Sequence, residues 1–184
     1  LDSTEFVRNT GQIRVQAAPS AWRPFYTTST LTATNFSSLT QWSRPAAGSE
    51  FLMVQPDLSP VLYGRSLALS GVELCYEAGT GNTLTYVEIN TQGSTTGAGT
   101  RSLTFSDPTS RTDTACRLYS LPAPITLSGD RSANLFIQVA FGANPFSISR
   151  TSFVLIPTAV TAAAAAPVAV TELTRGGNGL TSPK

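Results

Sequence analysis

An all-β fold, an antiparallel β-sandwich of jelly-roll or Greek-key type with extended N- and C-terminal arms, is what this sequence predicts, and three observations predict it. Fourteen glycines and 12 prolines punctuate 184 residues, and no window of a dozen residues ahead of the C-terminal tail carries apolar side chains at the i, i+3, i+4, i+7 spacing of a helix. Short β-rich runs recur about every 10 to 15 residues, the rhythm of sandwiches and barrels. Turn-forming residues fill the gaps between them. A chain of this length suits one domain, which buries about 70% of the surface its unfolded form exposes.

Residues 1–29 form an N-terminal arm or edge segment, with a strand near Gln12 to Gln16. Residues 30–157 form the sandwich, with strands near Thr30 to Phe36, Phe51 to Gln55, Leu67 to Glu77, Leu84 to Asn90, Thr100 to Phe105, Ala115 to Leu121, Asn134 to Phe141 and Phe146 to Ile156. Alternation is clearest in Asn134 to Phe141: Leu135, Ile137, Val139 and Phe141 share a core face, and Asn134, Phe136, Gln138 and Ala140 a partly wet one. Val72, Leu74 and Tyr76 point inward, which leaves Glu73, Cys75 and Glu77 outward.

Gly79-Thr80-Gly81-Asn82 supplies the positive φ angles of a tight hairpin into Thr83 to Asn90. Along that return strand the apolar phase slips from Leu84 and Tyr86 to Val87 and Ile89, so a bulge is expected near Tyr86. Gln92 to Thr100 reads as a Gly-rich loop. Ser106 to Arg111 reads as a single helical turn that crosses between sheets, with Asp107 as N-cap and Pro108 at the first helical position. Residues 158–184 change character to an Ala/Pro/Gly-rich arm, within which Val168, Ala169, Val170, Thr171, Glu172 and Leu173 alternate as a donor strand does when it pairs with the edge of another subunit.

Twelve basic and 11 acidic side chains leave a net charge near +1, so no basic stripe exists to release counterions from a nucleic acid. The chain has no His, which removes Ser-His-Asp and Cys-His nucleophiles and His-ligated metals. No cofactor and no metal is expected. No apolar run approaches the roughly 18 to 20 residues that span a bilayer. A start at Leu1 implies a removed leader or a trimmed chain. Two Cys in a chain with 47 Ser or Thr and one Lys read as one disulfide, Cys75 to Cys116, of an oxidising compartment, with a pair of buried thiols as the alternative. The expected location is secreted, extracellular or at the cell surface.

Glu73 and Glu77 share one strand face about 13 Å apart, beyond the ~5 to 9.5 Å of glycosidase carboxylates, and Glu88 on the facing hairpin strand comes closer to either. A solvated outer face explains these acids more simply, and no enzyme is expected. Asp107 and Asp113 offer too few ligands for Ca²⁺ and suit turn capping. Asn35-Phe36-Ser37 matches a glycosylation acceptor, a pattern that arises often by chance. Trp22, Phe25, Tyr26 and Trp42 precede the most regular strands. Trp22, Tyr26 and Trp42 suit stacking on sugar rings, or else closure of the sandwich edges or filling of a subunit interface.

The succession of a Cys-containing strand, a Gly hairpin, an Asp-Pro turn, a second Cys and paired late strands, from Leu67 to Ile156, resembles secreted bacterial all-β proteins. The resemblance implies a jelly-roll-like domain and says nothing of a site. The arms and the lack of a catalytic constellation point first to a structural or assembly subunit of an extracellular filament, coat or appendage, whose partners are copies of itself. The alternative is a carbohydrate-binding β-sandwich module whose partners are surface glycans.

Overall fold

A computed structural model describes residues 11–62, 64–93, 100–127 and 131–158. Twelve strands are present among them: β1 Ile13–Ala17, β2 Arg23–Pro24, β3 Thr32–Asn35, β4 Thr40–Ser43, β5 Gly48–Val54, β6 Val61–Leu62, β7 Arg65–Glu77, β8 Thr83–Gly93, β9 Thr100–Asp107, β10 Thr114–Thr126, β11 Arg131–Phe141 and β12 Phe146–Pro157. One 3₁₀ turn, Pro19–Ala21, opens on the proline that favours it.

The strands form two antiparallel sheets. The first runs β10-β7-β12-β4-β3, with β1 also on β12 and β6 on β7; the second runs β2-β5-β11-β8-β9. From β7 onward the chain passes to the second sheet for β8 and β9, back for β10, across for β11 and back for β12. This is the jelly-roll arrangement of a β-sandwich.

The core lies between the sheets, where Leu69, Val72 and Leu74 of β7 and Phe153 and Leu155 of β12 meet Val87 and Ile89 of β8 and Leu135, Ile137 and Val139 of β11. The inward face expected for Asn134 to Phe141 is the one observed. On β8 the bulge falls where the phase slips, since Tyr86 pairs with Gln138 and Leu84 with Val139, leaving Thr85 as the extra residue. A second slip in β7 leaves Ser70 unopposed, Gly71 facing Val154 and Leu69 facing Leu155. Gly71 is required there because a Cβ would stand 2.7 Å from the Tyr119 carbonyl oxygen.

Two local expectations are corrected. The Gly79 to Asn82 turn has positive φ at Gly79 and Gly81, but it is a sheet-to-sheet crossing and not a hairpin, because β10 and β12 already occupy both edges of β7. Asn82 fixes this crossing by donating to the Ala78 and Asn144 carbonyls at 2.6 and 2.9 Å and accepting from Gly142 N–H at 2.7 Å. Residues 106–111 neither form a helical turn nor cross between sheets; they stay beside β8, Asp107 opposite Val87 and Arg111 opposite Leu84, and the passage to β10 in the first sheet comes after Arg111. Arg111 exchanges both backbone hydrogen bonds with Leu84 at 2.8 Å, which demands extended chain, and Asp107 caps the turn by accepting from Thr109 N–H at 2.9 Å.

In the N-terminal segment, β1 pairs with β12 and β2 with β5. At the other boundary Thr158 N–H donates to Ser66 O at 2.9 Å. The assembly arm Val168 to Leu173 lies outside the described residues, as does most of the Gly-rich loop.

Candidate functional site

The outward face of the second sheet gathers the chain's least ordinary surface chemistry. In β11 and β8 the inward residues alternate with Asn134, Phe136, Glu88 and Asn90, and the register places Phe136 opposite Glu88 and Asn134 opposite Asn90. Towards one edge, Phe136 faces Met53 and Gln138 faces Phe51 on β5, and Met53 in turn faces Arg23 on β2. Towards the other edge Asn90 faces Leu103 and Gln92 faces Arg101 on β9. Five strands spaced about 4.8 Å apart make this face about 19 Å across.

One end is aromatic. Phe25 N–H donates to Phe51 O at 2.9 Å, which extends the β2 pairing and turns the Phe25 ring onto Phe136, edge to face at 5.1 Å. Tyr26 packs against Phe25 at 4.8 Å and Phe51 at 6.1 Å. Tyr26 remains 52% exposed and Phe25 38%, so both rings are supported from beneath and open above.

The centre is polar and dry. Glu88, Asn90 and Asn134 are buried. The Glu88 carboxylate accepts from Asn90 Nδ2 at 2.8 Å and from the Tyr86 hydroxyl at 3.2 Å, and forms an ion pair with Arg101. Asn134 Nδ2 donates to Asn90 Oδ1 at 3.3 Å, while Asn134 Oδ1 has no partner among the described residues. The Arg101 guanidinium lies over the Phe136 ring at 4.8 Å, a cation-π contact that holds the long side chain flat on the sheet. Burial, then the Glu88 charge, push the Tyr86 phenol above its ordinary value.

The other expected residues fall elsewhere. Trp22 and Trp42 are each 3% exposed and belong to the core; Trp22 donates its indole N–H to Thr151 Oγ1 at 3.1 Å, and Trp42 sits opposite Phe146. Neither can stack on a sugar, so of the three aromatics expected to bind glycans only Tyr26 stands at the surface. Cys75 and Cys116 form the expected disulfide, at directly opposed positions of β7 and β10. Glu73 points out of the first sheet, where Arg14 and Arg150 hold it at 2.8 and 3.1 Å. Glu88 belongs to the second sheet, so it does not approach Glu73 or Glu77 as the hairpin reading expected. Asp113 accepts from the Tyr76 hydroxyl at 2.7 Å and pairs with Arg117; the Tyr76 bond, then Arg117, hold its carboxyl below the usual range. Among the described residues no group of three potential ligands gathers around a metal position, and no helix is long and apolar enough to cross a membrane.

Phe51 and Phe136 were not singled out from sequence. The available signal was Phe136 itself, a large aromatic in phase with Asn134 and Gln138 on the wet face of its strand.

Fold and face together define a jelly-roll β-sandwich with an aromatic and polar surface on one sheet. No family model matches the chain, and no curated protein does. Among solved structures it is similar to one described as the structural basis for the promiscuous specificity of carbohydrate-binding modules from the β-sandwich superfamily. The two share 9% identity at a TM-score of 0.41, over 82% of this chain and 58% of that one.

Proposed function

We propose that the chain is a carbohydrate-binding module and not an enzyme, with the outward face of the second sheet as its binding surface. The observation that carries this reading is the pairing of two exposed, supported rings, Tyr26 and Phe25, with the half-exposed Arg101 guanidinium, which the buried Glu88, Asn90 and Asn134 network beneath it holds in place. Flat rings take up the C–H face of a pyranose, and polar groups held in place select its hydroxyls at little ordering cost. The fold supplies the rigidity, because every one of these groups except Tyr26 and Phe25 stands on a strand of the sheet. The disulfide is compatible with an extracellular setting, where such glycans are met.

A glycan array probed with the protein and with Tyr26→Ala and Phe25→Ala tests the reading. At least one glycan class should be retained, and Tyr26→Ala should weaken it by about tenfold without altering the far-ultraviolet circular dichroism. If no glycan is retained, or if retention ignores both rings, the reading is wrong.

Assembly with copies of itself is the second reading, favoured by Leu103 and Leu118, which stand exposed on the edge strands β9 and β10. Light scattering across a concentration series would then give a mass above one chain, and Leu103→Ser or Leu118→Ser would lower it. A single-chain mass throughout removes this reading.

A further inference from the structure

We infer that the glycan is acidic, a chain of uronic acid units whose carboxylates meet Arg23 and the open side of the Arg101 guanidinium; this rests on the carbohydrate reading and names its substrate class. Arg23 lies on β2 two residues before Phe25, on the same face of the strand and opposite Met53. It is exposed, and no described carboxylate is paired with it. Arg101 is tied to Phe136 and Glu88, yet its side chain stays 49% exposed. It has five N–H donors and spends one nitrogen on Glu88.

Glu88 is the face's only carboxylate among the described residues, and it is not offered to a ligand. It is buried and already takes donors from Asn90, Tyr86 and Arg101. A sheet that binds a neutral sugar has use for free carboxylates, which accept hydrogen bonds from its hydroxyls. This face instead presents guanidinium forks, and the planar fork matches a carboxylate with two parallel hydrogen bonds.

The spacing suits an oligosaccharide. Arg23 and Glu88, which holds the Arg101 tip, share one cross-strand row through Met53 and Phe136, and their strand positions stand three strand spacings, about 14 Å, apart. The Phe25 ring packs on Phe136, whose strand lies between theirs. A short uronate chain laid across the strands can rest one ring on Phe25 or Tyr26 and present a carboxylate to each arginine.

Calorimetric titration with short galacturonate, mannuronate and glucuronate oligomers, each beside its carboxyl-reduced form, tests this. Reduction keeps the sugar backbone and removes the charge. One acidic oligomer should bind about tenfold more tightly than its reduced partner, and the advantage should shrink as salt is raised. Arg23→Gln should weaken the acidic oligomer about fivefold and narrow the gap between the acidic and reduced forms. Equal binding of both forms, or indifference to Arg23→Gln, overturns the acidic inference while the carbohydrate reading stands on its Tyr26 dependence. Dextran sulfate bound as tightly and with the same Arg23 dependence would reduce the face to a general anion patch and overturn it as well. No binding of any oligomer, acidic or neutral, together with an empty array, takes both readings away.

Discussion

Tyr119 carries its hydroxyl into the interior, where it has no hydrogen-bond partner among the described residues. Burial pushes this phenol up to about 12, so the neutral form favours the fold: its contribution is whole below about pH 10 and is lost as the pH rises through 12. Tyr119→Phe removes a buried, unsatisfied group and should raise stability by about 1 kcal/mol in urea denaturation. It should also delete the latest step of the ultraviolet phenolate titration. Asp107 behaves in the opposite sense. Burial alone would raise its carboxyl, but hydrogen bonds from Thr109 and Arg111 outweigh burial and hold it below the usual range. Its contribution is therefore present above about pH 4 and disappears as the pH falls through the lower folded value. A melting-temperature profile of Asp107→Asn should be flatter than that of the native chain in this acid window. At this scale the sequence was a partial guide. Burial of Trp22 and Trp42 was not legible, because the same large ring suits a core, an interface or a sugar, and only the neighbours decide.

Strands of seven residues or more were legible, since five or six turns of alternation leave a clear period. Thr40–Ser43, Arg23–Pro24 and Val61–Leu62 were not; strands so short show little period, and the equally short Thr32–Asn35 was legible only from the longer Thr-rich run around it. Alternation also tells which side chains are buried without telling which strand lies alongside, and for that reason the Gly79 to Asn82 crossing read as a hairpin. That crossing is tightly determined. Gly79 has φ +71° and a Cβ there would approach the Pro145 carbonyl oxygen to 2.7 Å. Gly79→Ala should therefore cost at least 1 to 3 kcal/mol, about the range for a residue forced into left-handed backbone, as read by the denaturation midpoint. At the outer edge of the first sheet, Pro122 and Pro124 stand in β10 where its register with β7 slips. Proline has no N–H to offer a further strand, so this part of the edge is closed to strand addition.

For the molecule as a whole, two accounts of association make different demands on the same chain. If residues 168–173 act as a donor strand, deleting 159–184 should leave near-native β content and abolish any oligomer seen by light scattering; survival of the oligomer removes the donor role. If the sheet face is the functional surface, the same deletion leaves glycan retention intact. The Cys75 to Cys116 link spans a sequence separation of 41, and closing a loop of that size is worth about 4 kcal/mol in the chain-entropy description. Replacing both Cys by Ser should lower denaturant stability by about that amount. The position of the link also governs how the protein responds to tension. It joins residues already opposed across β7 and β10, so when the chain is pulled from its two ends the enclosed stretch, which holds all of β8 and β9, never bears load. At about 3.5 Å per extended residue, some 140 Å of contour is withheld from extension until a reductant arrives. A module tethered to a surface while gripping a fixed polymer would thus part from its ligand or unravel its terminal strands before β8 and β9 are drawn out.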